Sequence, residues 1–130
     1  MARSLPHPDM GTVTVAGILH ALADPVRLAI VSELLHSGRS MNCTETRGKL
    51  LQPMPKSTCS QHYRILREAG LIESERKGTE LASRVRDDEL RARFPGLLQS
   101  ILASYDTEVF GASPAVKTRS PEARSSRSPR

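Results

Sequence analysis

Between Ser57 and Leu71 the chain reads STCSQHYRILREAGL, bringing together a cysteine, three small hydroxyl residues (Ser57, Thr58, Ser60), a histidine and a tyrosine. Such a set suits nucleophilic catalysis, thiol or metal sensing, or hydrogen bonding to a polyanion. A thiol nucleophile needs a base within hydrogen-bond reach, itself oriented by a third group. Cys59 and His62 are three apart, so on a helix they are surface neighbours. However, Cys59, Tyr63 and Leu66 fall at i, i+4, i+7, the side that faces a core. A buried, unactivated thiol behaves as a small hydrophobe. Nowhere does the chain show a Gly-rich phosphate loop, HExxH, GxSxG or a paired-carboxylate signature. The expectation is a protein that is not an enzyme.

Metal sites are equally poorly served. Structural zinc takes four Cys or His ligands at short spacing, whereas Cys43 and Cys59 are sixteen apart and His7, His20, His36 and His62 form no HxxxH pair. No metal or other cofactor is expected. If the two cysteines open successive helices, about one helix length separates them: eight residues at ~1.5 Å give ~12 Å, beyond the ~7 Å limit on Cα separation for a disulfide. Two free thiols are therefore expected. Cys43 is the one with sensing potential, because a helix start lowers a thiol pKa.

The polyanion reading uses more residues. Ser57, Thr58, Ser60, Gln61 and Arg64 fall opposite the core side of this helix. Hydroxyls and amides reach phosphates and base edges, and Gln and Arg make bidentate contacts to adenine and guanine. Lys56, with the N–H groups at the helix start, can hold a phosphate. His62 lies at the boundary, fitting either a phosphate contact or packing. Arg76 and Lys77, at a turn further on, are placed to meet a neighbouring groove or backbone.

The elements that position these residues are legible in the spacing. Val15, Ile18, Leu19 and Leu22 mark one face of a first helix. Asp24-Pro25 reads as an N-cap with proline at N1, opening a second helix apolar on a wide arc and closed by Gly38. Asn42 and Glu45 form a capping-box pattern for a third helix running to Leu50 or Leu51. QPMPK is a turn, after which the quoted helix runs to Gly70. LIESERKGTELASRVR alternates around Lys77-Gly78, a hairpin signal. Leu90, Phe94, Leu97, Leu98, Ile101, Leu102 and Tyr105 stripe a last helix that must kink or restart at Pro95. The fold class expected is mostly α with a small β-hairpin wing, a winged helix-turn-helix: four helices, two strands, one helix.

The totals agree. Aromatics make up 3% of 130 residues, so the core must be Leu, Ile, Val and Ala, which suits packed helices. The formal charge is +5, and it is unevenly placed: residues 39–93 hold twelve Lys and Arg against eight Asp and Glu, and residues 111–130 hold five basic residues against Glu122. Localised positive charge points to a polyanionic partner, nucleic acid being the commonest. Residues 1–10 read as a flexible N-terminus, 11–110 as the folded domain, and 111–130, rich in Ser, Pro and Arg, as a disordered basic tail. No apolar leader or membrane-length apolar run is present, so a cytoplasmic, reducing location without membrane contact is expected.

HALADPVRLAIVSELL followed by STCSQHYRILREAGLIESERKGTE closely resembles the ArsR/SmtB family of winged-helix repressors. That family shows an AL.DP.R..IL..L second helix, an S..S.HL..LR.AGL recognition helix and a wing beginning I...R.G. The match spans roughly residues 15–105. The resemblance implies a homodimer paired through the first and last helices, two recognition helices over a palindromic site, and repression relieved by a ligand. The apolar stripes fit that dimer independently, with Val15, Leu19, Leu22, Leu97, Leu98, Ile101, Leu102 and Tyr105 as its expected interface. Metal-sensing members carry CxC near the third helix, where MNCTET has Cys43 alone, or Asp and His pairs on the last helix, where no histidine follows His62. The reading is a homodimeric repressor on double-stranded DNA, with an unknown small-molecule or thiol-reactive inducer left open. Two alternatives stand beside it: a thiol or arsenite-type sensor using Cys43, and a winged-helix module that binds protein or RNA.

Overall fold

Three helix starts are held by the side chains that the sequence places there. Thr14 accepts the Gly17 N–H, Asp24 accepts those of Val26 and Arg27 beside Pro25, and Asn42 and Glu45 close a reciprocal capping box. Each such cap satisfies backbone donors that the helix cannot, and contributes ~1 kcal/mol. In the computed structural model, which describes residues 3–50 and 53–111, the elements run β1 (Arg3–Ser4), a 3-10 turn (Met10–Thr12), α1 (Val15–Leu22), α2 (Pro25–Ser37), α3 (Cys43–Lys49), α4 (Lys56–Glu68), β2 (Ile72–Lys77), β3 (Glu80–Val85), α5 (Asp87–Arg93) and α6 (Leu97–Phe110). The chain divides into two units, Met1–Pro95 and Gly96–Arg130. Within the second, the described element is α6. Among the described residues no single helix is long and apolar enough to cross a membrane.

The core of the first unit is aliphatic, as the composition requires: Ile18, Ile30, Val31, Met41, Leu66, Leu71 and Ile72 are fully buried. Each contributes about 1.5–3 kcal/mol by leaving water. On the wing, β2 pairs antiparallel with β3 from Ile72↔Val85 to Lys77↔Glu80, closed by Gly78 at φ 64. Ser74 and Ser83 face each other inside the hairpin with their hydroxyls 2.6 Å apart, so neither is buried without a partner. Beyond β3, Met41 forms an isolated bridge to Ser83, each donating its N–H to the other's carbonyl at 2.9 and 2.8 Å.

Two expectations are corrected and one is met. Residues 3–10 are not loose: β1 pairs with β2, and His7 Nε2 accepts the Ser74 N–H at 2.9 Å. Pro8 accepts from Arg86, and Met10 and Val13 from Arg93, through their carbonyls. A two-residue strand carries no period to read, and these bonds come from residues far along the chain. The stripe from Leu90 to Tyr105 restarts around Pro95 as expected: α5 ends at Arg93, and α6 begins after Gly96 at φ 82, because Pro95 cannot donate to a preceding turn. The third helix stops at Lys49, with Leu50 already extended at its C-cap. The basic tail from residue 112 onward lies outside the described residues.

Candidate nucleic-acid interface

The face of α4 divides along its length. Cys59, Tyr63 and Leu66 are buried, while Lys56, Ser57, Thr58, Ser60, Gln61 and Arg64 are exposed. The helix opens at Pro55 without a side-chain cap, so its first N–H groups have no side-chain acceptor. Arg64 holds a 3.8 Å ion pair with Glu68, both side chains well exposed. A pair of that kind is weak enough for the guanidinium to be redirected. At the tip of the wing Arg76 and Lys77 are exposed, in the same unit as α4.

His62 is half-buried, and its Nδ1 lies 3.3 Å from Arg27 Nη1. Arg27 can only donate, so Nδ1 accepts and the ring proton belongs on Nε2. Arg27 is itself anchored, its Nε donating to the Ala21 carbonyl at 2.6 Å and its Nη1 lying 4.0 Å from Asp24. Arg27 is a residue that sequence reasoning missed. Its signal was a single charged position inside the apolar arc of α2, three residues after the Asp24 cap. The Tyr63 hydroxyl, which needs a partner once buried, meets Thr46 Oγ1 on α3. Burial pushes the Tyr63 hydroxyl pKa well up.

The thiols overturn one expectation. Cys43 Sγ and Cys59 Sγ are 3.2 Å apart, not a helix length. The ~12 Å figure assumed helices laid end to end. Instead Cys43 meets Cys59 and Thr46 meets Tyr63, so the beginnings of the two helices pack side by side. Cys43 is half-buried and Cys59 fully buried. Cys43 is drawn down to about 6, first by its hydrogen bond with Cys59, then by Ser60, Lys56 and Arg47 against the opposing effect of burial. Cys59 is pushed far up by the same bond and by burial. Among the described residues no group of three or more His, Cys, Asp or Glu side chains could hold a metal ion.

The residues expected at a dimer interface fall in two classes. Val15 and Leu19 are exposed, at 41% and 49%. Leu22, Leu98 and Leu102 are buried, and Leu97, Ile101 and Tyr105 are intermediate. Val109 and Phe110, not singled out from the sequence, are exposed at the end of α6.

A family model described as a helix-turn-helix domain matches residues 22–75, the span from the end of α1 into the wing. The uncharacterized HTH-type transcriptional regulator YceK of Bacillus subtilis is 35% identical over 86 residues, covering 66% of this chain and 84% of that protein. The HTH-type transcriptional repressor SmtB of Mycobacterium tuberculosis is 42% identical over 84 residues, 64% of this chain and 59% of SmtB. The chain belongs to the ArsR/SmtB family. Among solved structures, the homodimeric winged helix-turn-helix domain of a possible ArsR-family regulator from Mycobacterium bovis aligns at a TM-score of 0.54 and 27% identity, covering 70% of this chain and 80% of that one. NolR of Sinorhizobium fredii aligns at 0.54 and 26%, covering 75% and 85%. This ArsR/SmtB member is thus a transcriptional regulator with a DNA-binding winged helix-turn-helix, in a family of regulators and not of enzymes. In it α3 and α4 are the helix-turn-helix pair, and β2 and β3 are the wing.

Proposed function

We propose that this protein is a homodimeric repressor that binds a palindromic operator, with α4 in the major groove and the wing tip on the adjoining backbone. The observation that carries this is the exposed row Ser57, Thr58, Gln61 and Arg64 over the buried row Cys59, Tyr63 and Leu66. Gln61 and Arg64 read base edges. Lys56, Ser57, Thr58, Ser60, Arg76 and Lys77 hold phosphates. His62, engaged by Arg27 at Nδ1, keeps an Nε2 proton to offer a phosphate. The homodimeric state of the M. bovis domain and the exposed Val15 and Leu19 support pairing through the first helix. A dimer places two α4 helices one DNA turn apart, which is what a palindrome requires.

Titrating duplex DNA against the chain at ~50 and ~200 mM salt tests the reading. Six or more phosphate contacts predict an affinity loss of about a thousandfold or more. Binding that ignores salt, or that prefers RNA, points instead to a protein or RNA interaction module.

A further inference from the structure

The two cysteines, treated singly in the sequence, form a unit in the fold. Cys43 lies on α3 and Cys59 on the inner side of α4, their sulfurs 3.2 Å apart. The outer partner is reachable and the inner one is not, Cys59 having no exposed surface. Around the outer thiol stand Arg47 of α3 and Lys56, Ser60, Tyr63 and Arg67 of α4. Two cations and a hydroxyl favour its thiolate, the form that reacts. A reachable nucleophilic thiol with a second thiol directly behind it is the arrangement that oxidation to a disulfide requires.

We propose that Cys43 and Cys59 are a hydroperoxide-responsive pair whose disulfide loosens the grip of α4 on DNA. The proposal rests on the reading of α4 as the recognition helix. In the first step the Cys43 thiolate attacks the terminal oxygen of a hydroperoxide. An S–O bond forms, the O–O bond breaks, and the alcohol (or water) leaves with the proton that Cys43 gave up. In the second step Cys59 sulfur attacks Cys43 sulfur. The S–S bond forms, the S–O bond breaks, and water leaves with the Cys59 proton. Two thiols lose two electrons, and one hydroperoxide gains them. The sulfurs must close from 3.2 Å to about 2.05 Å. Cys59 lies between Thr58 and Ser60, so that movement displaces the row that faces DNA. The same closure disturbs the Thr46–Tyr63 contact one turn further along.

The test uses the full chain and hydrogen peroxide, with alkylation and intact mass as readout. The expected product takes up no alkylating agent, is lighter by two hydrogens, and yields a peptide joining Cys43 to Cys59. Dithiothreitol reverses it. DNA affinity of the oxidised chain falls about five- to a hundredfold and returns on reduction. Cys59→Ala is expected to leave Cys43 as a sulfenic acid that a cyclic dione traps, with no loss of two hydrogens. If that variant fails to fold, the wild-type digest still decides. Two thiols that stay alkylatable, a disulfide joining two chains, or an intrachain disulfide that leaves DNA affinity unchanged each overturn the proposal. A reduced chain that does not bind DNA at all overturns the recognition reading instead.

Discussion

Gln61 and Arg64 stand one helical turn apart on the exposed side of α4, and their side chains differ in what they can release. Gln61 offers a donor and an acceptor together, the pattern that matches adenine, and Arg64 offers the fork that matches guanine. Arg64 must leave Glu68, but at 3.8 Å and in solvent that pair contributes little. Replacing either residue by alanine should cost ~1–3 kcal/mol on the preferred operator and much less on an unrelated duplex. Affinities measured on both DNAs check this; equal losses would make the two residues phosphate contacts. These outward residues could be read from spacing alone, because a helix period divides inside from outside. Arg27 could not, since its task is set by His62, thirty-five residues away. Nor could the thiol contact, since spacing along the chain says nothing of how two helices cross.

At the scale of elements, the N-terminal segment depends on one ring nitrogen. His7 Nε2 accepts the Ser74 N–H on the edge of β2, which requires a neutral imidazole. Burial first, then the Arg86 charge, with a smaller contribution from Arg67, lowers the His7 pKa, against the carboxylates of Glu73 and Glu89. A folded pKa below the unfolded value of 6.5 means that the unfolded chain binds the proton more readily. The stabilisation is therefore complete above pH 6.5 and fades as the pH falls through the lower folded value. His7→Ala should cost ~0.5–1 kcal/mol at pH 7.5, and the gap should narrow toward pH 5. Urea unfolding of both chains at the two pH values checks it; a gap independent of pH would show that the hydrogen bond is not what holds the segment. The helices were legible because each shows a capping pattern or an apolar period of its own within a short stretch of chain. β1 was not, because two residues in an extended conformation acquire meaning only from β2, some seventy positions on.

For the whole molecule, the proposed pairing of two chains should fail when its exposed apolar surface is charged. Leu19 is 49% exposed on α1, and Leu19→Glu should weaken the dimer by at least tenfold, since a buried leucine contributes about 1.5–3 kcal/mol. Sedimentation against concentration checks this; an unchanged dimer would move the interface elsewhere. Legibility was uneven here too. The apolar stripes showed which faces avoid water, but not that Leu22 is already covered within the first unit. The bridge between Met41 and Ser83 bears on how the protein could be cut and rebuilt. It joins the wing to the residue just before the Asn42 cap through backbone hydrogen bonds, while the Met41 side chain is itself buried in the core. A transplant of α3, α4 and the hairpin into another scaffold must therefore begin no later than Met41 and end no earlier than Val85. Taken from Cys43 onward, the graft would keep every exposed residue of α4 and the wing tip, yet leave β3 with an open edge.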